Sequence, residues 1–520
     1  MIAGCRLNVA DGELDRLAGR SPRHRILSFS PMDKKLSEGG EEIYHFTMQK
    51  GTSVRRTKIV ATLGPATSSA EMIGKLIDAG ANIFRLNMSH APHDWVRKVY
   101  ATIREESARR SRHIGILMDT QGPAIRTGDI SSPLDLKPGQ KFTLTVRGEK
   151  SEEEHSVDVN YENFVNDISV GDVVLLDNGA IEMKVLTKNG NKVECEVLTE
   201  GKLGSRRHIN LPGVKVSLPA LTAKDIKDVK LGLELGVDFI ALSFVREARD
   251  LLQLKEMFEE GKPRPLVIAK IEDQEAIKNL EAIVRESDGI MVARGDLGIE
   301  VPYEELPILQ RRIVKLCLRI GRPVIVATHM LESMIESPMP TRAEVTDVAN
   351  AVFEEADAIM LSGETTVGKY PVKCIEVFDK IASRTERSGN AGFHEAAELT
   401  IPREQLVKSA VVMANELKAA AILSFTRHGH MASYASWMRP RYSPVFAMCD
   451  NQKTANELTL NWGVTPFVLE FDFIDPQSTI ENGLKMLSQQ GHLQPGDTVV
   501  IIGAISVGTE IVDAVQMRTV

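Results

Sequence analysis

The sequence predicts an α/β fold: a closed (β/α)8 TIM barrel with an inserted all-β lid domain and a C-terminal α/β domain. Three observations carry this reading. From Thr57 onward a short apolar strand, a loop and an amphipathic helix recur eight times. The strands are near-continuously apolar, as in a parallel sheet covered on both faces, and eight such units close a barrel. Two stretches, 123–219 and 389–520, break that rhythm with patterns of their own. The first units also lack a strand-linked G-x-G-x-x-G, which disfavours an open dinucleotide-binding sheet.

Residues 1–54 read as a poorly ordered N-terminal extension. Its first fifty residues hold five arginines. Asp11, Glu13 and Asp15 nevertheless spoil an acidic-poor transit peptide, so the expected location is cytoplasmic. Met32 and Met48 stand as alternative starts. Barrel segments 55–122 and 220–388 hold the strands TKIVATL (57–63), NIFRLNMS (82–89), IGILMDT (114–120), FIALSFV (239–245), LVIAKIE (266–272), GIMVARGD (289–296), VIVATHM (324–330) and AIMLSGE (358–364).

The lid, 123–219, alternates with period two in KFTLTV (141–146) and KVECEVLT (192–199), and TKNGNK (187–192) supplies an Asn-Gly hairpin turn. An insertion at the C-terminal rim can close over the place where such barrels keep their active sites. After Ser388 a helix (EQLVKSAVVMANELKA) leads to strands AAILSFT (420–426), SPVFAMC (443–449) and DTVVIIG (497–503) of a separate domain.

Bulk properties narrow the function. The net charge is -8 and no Lys/Arg run stands out, so neither nucleic acid nor a membrane is an expected partner. No apolar run reaches the ~18–20 residues a bilayer requires. Five dispersed cysteines suit a reducing compartment better than a disulfide framework.

The chemistry gathers at the strand ends. Lys270 and Glu272 close an apolar strand two residues apart, hence on one face. Arg85, Asn87 and Ser89 end the second strand, and Asp119-Thr120 the third, with Arg126 just beyond. Ser243 and Arg246 follow the fourth, Arg294-Gly295-Asp296 the sixth, Thr328-His329 the seventh and Ser362-Gly363-Glu364 the eighth. Barrel closure brings these ends into one ring. Strand-end Ser and Thr commonly cap the next helix, which is the preferred reading of Ser243, Thr328 or Ser362 taken singly. Lys270 and Arg85 cap nothing. Glu272 and Asp296 offer hard oxygen ligands suited to Mg²⁺ or Mn²⁺, and Arg85 with Lys270 suits a phosphoryl group. The N–H groups at Gly295-Asp296 could receive a small carboxylate.

TKIVATLGPAT, FRLNMSHA, MDTQGPAIRTG, AKIED, MVARGDLGIE, THMLESM and SGETTVGKYP, in this order and spacing, closely resemble the pyruvate kinase family over about 55–520. The resemblance implies Mg²⁺-dependent phosphoryl transfer from phosphoenolpyruvate to ADP, giving pyruvate and ATP, the last step of glycolysis. It implies Arg85 and Lys270 on the phosphoryl group, Glu272 and Asp296 on Mg²⁺, and substrate at the amides of Gly295 and Asp296. Thr328 would lie beside the enolate carbon. Asn87, Ser89, Asp119 and Thr120 match potassium ligands. Arg126 and Arg207, with Asn87, match nucleotide contacts. A homotetramer and an allosteric C-terminal domain are expected with them.

Departures from the family pattern are local. Gln121 and Ala124 replace a usual Lys and Glu, and Ala124 bears on potassium dependence. Asn178 stands where Asp is common, His208 where Gly is usual, and His329 where Gln is usual. TRHGHMA (426–432) replaces a hydroxyl-rich phosphate loop, and GAISVGTE (503–510) departs in shape, so the effector is not readable. Two rivals follow from the chemistry: a metal-dependent lyase acting on pyruvate or oxaloacetate, and a metabolite-binding regulator without turnover.

Overall fold

The computed structural model describes residues 55–146, 155–472, 474–507 and 510–520. The N-terminal extension and part of the 503–510 loop lie outside the described residues. Eight parallel strands, Lys58–Thr62, Ile83–Asn87, Gly115–Asp119, Phe239–Leu242, Leu266–Ile271, Gly289–Ala293, Val324–Ala327 and Ala358–Leu361, pair in sequence order, and the first closes on the eighth. Period-two alternation sorts their side chains. Val60, Ile83, Leu117, Phe239, Ile268 and Met291 fill the barrel interior, joined at the floor by Leu460 of the C-terminal domain. Their neighbours Ile59, Phe84, Ile116, Ile240, Val267 and Ile290 pack outward beneath the helices. The same alternation carries Thr62, Arg85, Asp119 and Lys270 into the next interior layer, toward the mouth.

The helices form where their signals stand. Thr222 with Asp225 and Thr341 with Glu344 make complete capping boxes. Helix Leu306–Ile320 buries Ile313, Val314, Cys317 and Leu318 on one stripe and ends at Gly321, whose φ of 84° favours glycine. The fourth, sixth, seventh and eighth strands each end about three residues before the expected boundary. The sixth strand stops at Ala293, and helix Arg294–Glu300 begins at once. Pairing to the seventh strand runs out at Ala293↔Ala327, so nothing holds Arg294 extended.

The lid is a six-stranded sheet in the order Ile209–Asn210, Val173–Leu176, Ile181–Asn189, Lys192–Val197, Lys141–Val146, Ser156–Val159, beside a ribbon of Leu134–Leu136 and Gly201–Leu203. Phe142, Leu144, Val174, Met183 and Val193 form its core. The expected hairpin is present, Asn189 opposite Lys192 with Gly190 at φ 55°. The single helical turn Phe164–Asp167 interrupts the β pattern.

The C-terminal sheet runs Val464–Val468, Val445–Cys449, Ala421–Phe425, Thr498–Val507, Glu510–Thr519. Its two outer strands were not legible. Pro466 interrupts the first, as an edge strand tolerates, and the last pairs antiparallel at the opposite edge. Among the described residues no helix is long and apolar enough to cross a membrane.

Candidate active site

At the barrel mouth four charged side chains from the second, third and fifth strands share one another as partners. Lys270 Nζ lies 2.7 Å from Glu272 Oε1 and 3.2 Å from Asp119 Oδ1, and donates to Ser243 Oγ at 2.7 Å. Arg85 Nε donates to Asp119 Oδ2 at 2.5 Å, and its Nη1 reaches Thr62 Oγ1 at 3.1 Å. Asp119, Glu272 and Lys270 are 0, 1 and 8% exposed. Two cations and two carboxylates offset one another, which permits their burial.

Burial opposes the Lys270 charge, but Asp119, Glu272 and Asp296 together hold its ammonium well above the ordinary lysine range. Burial likewise opposes the Asp119 carboxylate, and Arg85 with Lys270 keeps it below its usual value. Glu272 is pushed up to about 7, first by burial and then, against Lys270, by the like charge of Asp296. Two carboxylates that repel in this way suit a cation between them. Among the described residues no cluster of three His, Cys, Asp or Glu side chains could hold a metal, so the remaining oxygens would come from substrate and water.

Ser243 does not cap a helix. Its hydroxyl donates to Thr120 O at 2.7 Å and accepts from Lys270, while Glu247 occupies the N-cap of the next helix. Phe244 escaped sequence reading. It holds φ at 53°, and its N–H donates to Glu272 Oε2 at 2.6 Å. A backbone donor leaves no residue-type signal.

Thr328 also departs from the cap reading. It is β-branched with φ at 68°, a conformation that needs outside support. Arg294, buried and bound to Asp347 at 2.7 Å, supplies it by donating to Thr328 O at 2.7 Å. Thr328 Oγ1 accepts the Gly295 N–H at 2.7 Å, so that amide is already committed rather than waiting for a carboxylate.

Asn87 and Asp119 are register partners on adjacent strands, and Asn87 Oδ1 accepts the Ser89 N–H at 3.2 Å. Asn87, Ser89, Asp119 and Thr120 therefore meet at one strand end, with the Asp119 charge shared by Arg85 and Lys270. Arg126 and Arg207 lie on the two lid connections. Arg126 Nη1 donates to Arg206 O at 3.2 Å, and Arg207 Nη1 is 3.3 Å from Asp177 Oδ1. Asp177, Asn178 and Gly179 form a left-handed turn at φ 53, 57 and 84°, which Asn tolerates well. His329 is exposed beside Gly295.

A family model described as pyruvate kinase, barrel domain, matches residues 54–375, and one described as pyruvate kinase, alpha/beta domain, matches 404–515. The chain belongs to the pyruvate kinase family. It is 44% identical over 459 residues to plastidial pyruvate kinase 2 of Arabidopsis thaliana, covering 87% of this chain and 78% of that one. It is 42% identical over 481 residues to pyruvate kinase isozyme G, chloroplastic, of Nicotiana tabacum, covering 92% and 84%. A crystal structure of a pyruvate kinase from Cryptosporidium parvum superposes with a TM-score of 0.85 at 33% identity, covering 89% of this chain and 96% of that one. The enzyme is thus a phosphotransferase that makes pyruvate and ATP from phosphoenolpyruvate and ADP, and the lyase and non-catalytic readings fall. The cytoplasmic expectation is corrected as well, because relatives at 44, 42 and 43% identity are plastidial or chloroplastic.

Proposed function

We propose that the mouth cluster carries the transfer, with Arg85 and Lys270 gripping the phosphoryl group. The observation that supports this is Lys270 Nζ, held at once by Glu272, Asp119 and Ser243 near the end of an otherwise apolar strand. The bond from phosphorus to the enol oxygen breaks as the bond to the nucleotide's terminal phosphate oxygen forms. Negative charge then moves onto groups that Lys270 and Arg85 already face. Thr328 lies beside the carbon that takes the proton, and Arg294 holds it there. Substrate would lie along Gly295 and Asp296, its carboxylate meeting the Asp296 side of that turn because the Gly295 amide is held by Thr328.

Glu272 and Asp296 would hold Mg²⁺ (or Mn²⁺), which when bound neutralises phosphate charge. Asn87, Ser89, Asp119 and Thr120 would hold K⁺, and Arg126 and Arg207, with Asn87, the nucleotide. The barrel segments 55–122 and 220–388, the lid 123–219 and the C-terminal domain 389–520 are the working units, the last also joining subunits of a homotetramer. The plastidial relatives favour a plastid location.

The test is pyruvate formation from phosphoenolpyruvate and ADP in Mg²⁺, with and without K⁺. Turnover that requires K⁺ supports the four-residue site, while turnover indifferent to K⁺ removes it and leaves the kinase intact. Glu272→Gln should raise the Mg²⁺ concentration needed for half activation about tenfold or more. An unchanged Mg²⁺ requirement would remove Glu272 from the metal site.

A further inference from the structure

Where the lid's second connection returns to the barrel, His208 meets Phe244. Their ring centroids are 6.2 Å apart with planes inclined at 30°, within the range of offset aromatic stacks. His208 is half-buried, and its backbone ties the second lid connection to the first and to the lid sheet. It forms an antiparallel bridge with Arg126, its carbonyl accepts the Asp177 N–H at 3.0 Å, and the next residue, Ile209, donates its N–H to Ile125 O at 2.9 Å. A second tie lies two residues on, where Asn210 Nδ2 donates to Glu300 Oε1 at 3.0 Å. On the barrel side, Phe244 is fixed by its own N–H bond to Glu272. The stack therefore joins a rigid point of the barrel rim to the residue flanked in sequence by Arg207 and across the bridge by Arg126.

We infer that His208 is a positioning residue for the nucleotide: its ring, stacked on Phe244, sets the lid so that Arg126 and Arg207 stand over the barrel mouth. The inference rests on the reading of those two arginines as nucleotide contacts. Arg85 and Lys270 belong to barrel strands and do not depend on the lid for their position. Loss of the stack should therefore act on ADP and spare phosphoenolpyruvate.

The experiment uses the full chain and steady-state kinetics with Mg²⁺-ADP and phosphoenolpyruvate varied in turn. His208→Ala should raise KM for ADP about three- to tenfold, the size an aromatic pair contributes, with kcat and KM for phosphoenolpyruvate within about twofold. His208→Phe keeps a ring but lacks the nitrogen facing Asn210, and should recover the KM for ADP. An unchanged KM for ADP in His208→Ala overturns the inference. So does an Ala effect that Phe fails to rescue, or one that falls equally on ADP, phosphoenolpyruvate and kcat. Arg207→Ala and Arg126→Ala, assayed alongside, test the underlying reading separately. If neither raises KM for ADP, the arginine assignment fails whatever His208 does.

Discussion

At the floor of the barrel, Asn82, Asp238, Asp288 and Asp357 each stand immediately before an even-numbered strand. Each accepts a backbone N–H from the start of the odd-numbered strand beside it: Ile59 at 3.0, Ile116 at 2.7, Val267 at 2.8 and Val324 at 3.0 Å. The three aspartates each have one guanidinium, Arg104 at 2.7, Arg264 at 2.6 and Arg439 at 2.9 Å. The mouth uses the same residue types differently. There Asp119 serves Arg85 and Lys270, and Lys270 serves Asp119, Glu272 and Ser243. A carboxylate that pairs once and also closes a backbone bond staples strands together. One that shares its charge around a ring can exchange partners when an anion or cation arrives. Burial alone does not separate the two ends, and neither does backbone involvement, since Glu272 at the mouth also takes the Phe244 N–H; the sharing of Asp119 between two cations and of Lys270 among Asp119, Glu272 and Ser243 does.

Mutation should split the ends cleanly. Lys270→Met at the mouth is expected to lower kcat by roughly a hundredfold or more, with KM for phosphoenolpyruvate little changed, because its charge is used mainly in the transition state. Near-normal turnover in steady-state assays would erase the distinction. Asp357→Ala at the floor should do the reverse. Breaking a buried pair costs about 3–5 kcal/mol, so its unfolding midpoint should drop steeply while kcat per folded molecule holds. A catalytic defect without lost stability would show that the floor is not purely structural.

A third effect concerns Lys58, a floor lysine that donates to Val464 O at 2.5 Å. Burial first, then Arg55 and Arg112, lower its ammonium from the ordinary 10.5 to about 7. Between those values the unfolded chain binds the proton and the folded one does not, so the stability Lys58 contributes is present above 10.5 and lost as pH falls toward 7. Denaturant titrations from pH 7 to about 10 should show that rise in the wild type and a flatter profile in Lys58→Met. Parallel slopes would reassign the effect to another group.

Much of this molecule was legible before any coordinates. Eight apolar runs, seven of them with polar ends, and the Asn-Gly hairpin are local signals, and each was found at the place in the chain where it was expected. So was the ring of candidates, because period two forces Arg85, Asp119 and Lys270 inward once Ile83, Leu117 and Ile268 face the core. The sequence did not reveal that Ser243 braces a lysine instead of capping a helix. It was also silent on Phe244 giving its backbone to Glu272, on the Gly295 amide being spent on Thr328, and on the edge strand carrying Pro466. Spacing along one chain determined which side chains point into the barrel and in what order they ring its mouth. Only the tertiary structure decided which of them touch, since pairing across closed strands, and the lid's return onto Phe244, join residues whose separation along the chain carries no trace of their distance in space.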